Sequence, residues 1–190
     1  MKLTTREVLS IPNILSYIRI LLIPVFIYLF IHATDTRDYY FIGLIILLSG
    51  LTDALDGWIA RRFNQITELG KIVDPIADKL TQTAIVACLL FRYPYMWILF
   101  ILFVLKELFM GINGLILLKR GKKLDGAKWF GKVSTAVFYL AMGILITFPN
   151  LDTSFIAFLM IVTGIFLSIS FLMYIPEFLK LYGKKEDAVR

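Results

Sequence analysis

The chain has 190 residues, 59% of them apolar and 18% charged, with a formal net charge of +6 and a mean hydropathy of +0.80. That balance excludes an ordinary water-soluble domain. At about 20 residues per bilayer crossing, six crossings use roughly 120, which leaves connections and tails but no second domain, so residues 1–190 read as one membrane domain. A single cysteine, Cys88, excludes an internal disulfide framework. The basic residues flank apolar runs, which points to anionic headgroups or phosphorylated substrates and away from nucleic acid.

Apolar stretches cover about residues 12–33, 39–60, 72–93, 94–118, 128–148 and 154–176. Each is long enough to span a bilayer, where backbone donors and acceptors must pair internally, so each is expected to be a helix. The predicted fold is all-α and polytopic: six transmembrane helices, with a short interfacial helix over residues 1–10. The first apolar run is too long for a cleaved signal peptide and contains Pro24. Fifteen of the 20 Lys and Arg residues fall on one side of this layout and only Arg37 and Arg92 on the other. That bias predicts cytoplasmic termini in a multi-pass cell-membrane protein. The lone histidine, His32, falls at the external end of the first span, where an interfacial role is expected.

The connection between the second and third spans carries the chemistry. It reads Asp53-Ala54-Leu55-Asp56-Gly57-Trp58-Ile59-Ala60-Arg61, followed after eight residues by Gly70, Asp74 and Asp78. Carboxylates in a membrane are costly and need compensation. Asp53 and Asp56 are spaced i,i+3 and Asp74 and Asp78 i,i+4, so each pair projects from one helical face. At about 1.5 Å per residue, Asp53 lies about 12 Å before Arg61 and Asp78 about 12 Å beyond Gly70, with Asp56 and Asp74 nearer the ends. Four carboxylates from two antiparallel neighbours are therefore expected to converge at matched depths. Cations must hold them together, and an all-oxygen site suits two Mg²⁺ ions, or Mn²⁺. Gly57 and Gly70 permit close approach by a ligand or a helix, and Arg61 is placed to meet a phosphate.

The pattern Asp53-x-x-Asp56-Gly57-x-x-Ala60-Arg61-x8-Gly70-x3-Asp74-x3-Asp78 resembles the signature of the CDP-alcohol phosphatidyltransferase family. The resemblance implies transfer of a phosphatidyl group from CDP-diacylglycerol to an alcohol, release of CMP, a dimetal site open to the cytoplasm and a homodimer. It implies Asp53, Asp56, Asp74 and Asp78 as metal ligands and Asp78 as the base that deprotonates the acceptor hydroxyl. Asp56, Gly57, Ala60, Arg61 and Gly70 are implied to hold the CDP portion. No activated Ser, Cys or His adjoins the cluster, which favours direct displacement over a covalent intermediate.

The acceptor is to be read from cations elsewhere. Pro12-Asn13-x-Leu15-Ser16-x-x-Arg19 is similar to a segment shared by the branches that use glycerol 3-phosphate and that form cardiolipin, so Asn13 and Arg19 become candidate acceptor contacts. Arg19 equally suits a role as counter-ion to the acids. Lys106 and Glu107, ionisable in mid-span, default to function, and Lys119, Arg120 and Lys132 are further candidate phosphate ligands. Relative to phosphatidylglycerophosphate synthases, Gly114 and Ser134 stand where two cations are common. A glycerol 3-phosphate dianion would lose roughly 1.5–3 kcal/mol for each charge-assisted contact removed. The sequence thus leans toward phosphatidylglycerol as acceptor and cardiolipin as product, with glycerol 3-phosphate the alternative. A cation transporter and a noncatalytic lipid-binding homologue are the contrasting classes; the former would carry polar groups through the full membrane depth.

Overall fold

The computed structural model describes residues 8–63, 65, 67–122 and 128–183, apart from the side chains of Ala54 and Arg61. Among these residues all regular structure is helical: α1 (Ile11–His32), α2 (Thr36–Arg62), α3 (Gly70–Leu90), α4 (Met96–Lys119), α5 (Trp129–Thr147) and α6 (Thr153–Gly183). The expected interfacial helix falls largely on residues 1–7, outside the described residues. Among the described residues five helices are long and apolar enough to cross a membrane; α3 does not qualify. Lys71, Asp74, Asp78 and Lys79 all stand in its first ten residues, so charge, not length, sets it apart. The protein is an all-helical, multi-pass membrane protein.

Local chemistry fixes the helix ends. Pro12 occupies the first turn of α1, where a missing N–H costs nothing. At the start of α2, Asp38 Oδ2 accepts hydrogen bonds from the backbone N–H groups of Thr34 and Asp35 at 2.9 and 3.0 Å. Gly121, at φ +67°, closes α4 as a left-handed residue, with Lys122 N donating to the Leu117 carbonyl at 2.9 Å.

The chain forms two compact units. The first holds the described residues up to Tyr93 and Met142–Leu151; the second holds Pro94–Ala141 and the described residues from Asp152 onward. In the first, α1 packs along both α2 and α3, which touch each other far less. The acidic helices are therefore joined through α1, not packed as direct neighbours. Its buried face runs Asn13, Ser16, Arg19 and then Phe26, a polar half followed by an apolar half. Phe26 lines a small gap with Ile45, Ile46 and Ile85. Near the other end of this unit the Arg92 guanidinium lies 4.4 Å from the Tyr39 ring centroid and donates to the Pro149 carbonyl at 3.1 Å.

In the second unit α4 packs along α6. Phe109 meets Phe171 and Phe178 edge-on, and Leu117, Phe130, Tyr174 and Phe178 form a core. Gly131 is required here, because a Cβ would run into the Tyr174 hydroxyl and ring. Small residues at helix crossings replace the hydrophobic drive that lipid does not supply. Apolar side chains such as Leu21, Ile31, Phe41, Leu115, Leu140 and Leu172 remain exposed, as a lipid-facing surface demands.

Candidate active site

The polar half of α1 organises the acidic residues. Arg19 is wholly buried; its Nη1 donates to Asp53 Oδ1 at 2.5 Å and its Nη2 to Asp56 Oδ2. One turn earlier, Ser16 Oγ lies 3.5 Å from Asp56 Oδ2 and in short hydrogen-bond contact with Asp74 Oδ1. A serine has one proton to give, so the shorter contact to Asp74 is the donated one. A single hydroxyl thus reaches carboxylates from α2 and α3. Asp78 lies within electrostatic reach of Asp53, and Asp74 of Asp56.

Asp78 is held on both oxygens: Gln82 Nε2 donates to Oδ1 at 2.9 Å, and Lys79 Nζ lies 3.2 Å from Oδ2. At the head of α3, Gly70 N donates to Thr67 Oγ1 at 2.9 Å, which in turn donates to Asn13 Oδ1 at 3.2 Å. A Cβ on Gly70 would stand 2.6 Å from Asn13 Oδ1 and 2.9 Å from Thr67 Oγ1. The space left by this glycine is therefore used by the protein's own polar contacts. Gly57 and Ala60 are partly buried on α2, and Arg61 belongs to its last turn, with its side chain outside the described atoms.

The donor chemistry fits a hard divalent cation. Asp53, Asp56, Asp74 and Asp78 offer only oxygen, and Arg19 sets a positive charge against the first two. Among the described residues no three acidic, His or Cys side chains stand close enough together to ligate one ion. The acids expected to converge are instead bridged in pairs: by Arg19 within α2, and by Ser16 between α2 and α3.

The other candidate residues belong to the second unit. Lys106 is buried, and its Nζ lies 3.0 Å from Glu107 Oε1. Lys119 and Lys132 are exposed, and the Arg120 guanidinium lies 5.3 Å from the Tyr182 ring centroid. Ser134 is buried, and its hydroxyl finds no partner among the described residues. Sequence reasoning did not assign roles to Ser16, Thr67 and Gln82. The first was within reach, because Asn13, Ser16 and Arg19 recur at i,i+3 on one face; Thr67 and Gln82 carry no such signal.

Known proteins resemble this chain over most of its length. A family model described as CDP-alcohol phosphatidyltransferase matches residues 9–173. The CDP-diacylglycerol--glycerol-3-phosphate 3-phosphatidyltransferase of Escherichia coli (strain K12) is 30% identical over 145 residues, covering 75% of this chain and 79% of that protein. The protein of the same name from Shigella flexneri is 29% identical over 150 residues, covering 77% and 82%. With the family model matching residues 9–173, a stretch that includes the helices whose aspartates Arg19 and Ser16 gather, the chain belongs to the CDP-alcohol phosphatidyltransferase family and is a phosphatidyltransferase enzyme.

Proposed function

We propose that this chain transfers the phosphatidyl group of CDP-diacylglycerol to glycerol 3-phosphate, with release of CMP, as a phosphatidylglycerophosphate synthase of phospholipid biosynthesis. The observation that carries the chemistry is the gathering of Asp53, Asp56 and Asp74 by Ser16 and Arg19. The choice of acceptor follows the relatives, whose names specify glycerol 3-phosphate. They outweigh the lean toward phosphatidylglycerol, which rested only on Gly114 and Ser134 standing where two cations are common.

In this reading Asp53, Asp56, Asp74 and Asp78 hold two Mg²⁺ ions, which would neutralise the diphosphate and stabilise the departing CMP oxygen. Gly57, Ala60, Arg61 and Gly70 border the CDP portion. Asp78 takes the proton of the acceptor hydroxyl as its oxygen bonds to phosphorus and the bond to CMP breaks. Gln82 holds one Asp78 oxygen, which orients the carboxylate for that task. The diacyl tails stay in lipid. The α3 helix completes six spans, with both termini and the active site cytoplasmic, following the Lys and Arg bias; residues 1–10 lie at the interface, and the enzyme works as a homodimer.

The test is to supply purified protein with CDP-diacylglycerol, Mg²⁺ and, separately, glycerol 3-phosphate, phosphatidylglycerol, inositol phosphate and serine. CMP release and the identity of the lipid product are then measured. Phosphatidylglycerophosphate is the expected product; cardiolipin would reverse the acceptor assignment, and no CMP with any acceptor would refute this reading of the site.

A further inference from the structure

Arg19 has properties that a simple helix anchor would not need. Its side chain is 0% exposed, against 4% for Asp56 and 38% for Asp53. A guanidinium does not deprotonate in proteins, so a permanent positive charge sits between these two acids. Only its two terminal nitrogens are engaged; the buried Nε has no partner among the described residues. Buried unpaired donors are costly, so charge attraction to the two carboxylates, not complete hydrogen bonding, holds the side chain in place. Nη1 contacts one oxygen of Asp53 and Nη2 one oxygen of Asp56, which occupies coordination that any cation at this pair would need.

We infer that Arg19 is a resident counter-cation that competes with divalent ions for Asp53 and Asp56, and so sets the metal affinity of the site. The inference rests on the metal-site reading above and adds a specific positioning role. Without a bound ion, Arg19 keeps the acid pair together; an arriving ion must loosen those contacts. Apparent affinity falls by the fraction of molecules whose ligands are free, so a pair closed nine-tenths of the time weakens binding about tenfold. Ser16, on the same face of α1, keeps Asp74 beside the pair throughout.

The test measures Mn²⁺ binding, from the EPR signal of the free ion, to full-length wild type, Arg19→Lys and Arg19→Gln in lipid nanodiscs, alongside thermal unfolding with chelator and with saturating Mg²⁺. Arg19→Gln is expected to bind Mn²⁺ about tenfold tighter or more, to unfold earlier in chelator and to gain more from Mg²⁺. Arg19→Lys, with one ammonium in place of the planar fork, is expected between Arg19→Gln and wild type. Unchanged or weaker binding by both variants overturns the inference. If Arg19→Gln does not fold without metal, Arg19→Lys decides on the same criterion. If wild type and variants alike bind no Mn²⁺, the metal-site reading falls, and this inference with it.

Discussion

The head of α3 offers the sharpest quantitative test. In Gly70→Ala the new Cβ would lie 2.6 Å from Asn13 Oδ1 and 2.9 Å from Thr67 Oγ1, well inside van der Waals contact. Asn13 is completely buried and has little room to retreat. Relief must come from shifting the head of α3 away from Asn13 and Thr67, which endangers both the 3.2 Å bond from Thr67 to Asn13 and the 2.9 Å bond Thr67 accepts from Gly70 N. Overpacking costs about 1–3 kcal/mol, and each lost neutral hydrogen bond about 1 kcal/mol. The helix propensity gained from alanine returns at most about 1 kcal/mol. A net loss of about 1–3 kcal/mol is expected, and for a chain of this length each kcal/mol lowers Tm by about 2–4 °C. Gly50→Ala, inside α2 and with nothing within 4 Å of its Cβ, is the control and should unfold at or slightly above the wild-type temperature, because it keeps the helix-propensity gain without a clash. The assay is thermal unfolding of purified protein in detergent, extended to a double-mutant cycle with Asn13→Ala. Removing Oδ1 removes the tighter of the two clashes, so the pair should be less destabilised than the sum of the singles by about 1 kcal/mol. Strict additivity, or a Gly70→Ala protein as stable as the control, would refute the reasoning.

Asp78→Asn is expected to abolish CMP release while largely retaining CDP-lipid binding, measured by turnover and by equilibrium binding; near-normal turnover would reject Asp78 as the base. Chelation with EDTA should stop CMP release, and added Mg²⁺ or Mn²⁺ should restore it; activity that persists in chelator would rule out the metal-dependent route. Gly131→Ala should destabilise the second unit, because its Cβ meets the Tyr174 hydroxyl, with a loss of about 1–3 kcal/mol. Adding Tyr174→Phe should recover part of that loss in thermal unfolding; no recovery would mean that the hydroxyl is not the obstacle.

Much of this protein was legible from its residues. Run lengths of about 20 apolar residues fix helices in a bilayer, because no other local structure pairs the backbone internally, and the described helices begin and end within a few residues of the expected runs, apart from the seven-residue extension of α6 to Gly183. The acidic signature was equally plain, because i,i+3 and i,i+4 spacing is a property of one helix and needs no partner. Which groups compensate those charges was legible only in part: Arg19 stood out as a possible counter-ion, but neither the acids it meets nor the part played by Ser16 could be read. Sequence spacing put the acids on two facing helices, whereas α1 lies against both and supplies Ser16 and Arg19. The pairing of Arg19 with Asp53 and Asp56 spans 34 and 37 positions, and only the docking of α1 brings them together. Similarly, Gly70 announced a close approach without saying by what, and tertiary packing answered with Asn13 and Thr67. Helix identity and facing are written into local periodicity; the counter-charges and neighbours at a buried acid depend on which helix packs beside it, and that is decided only when the helices assemble.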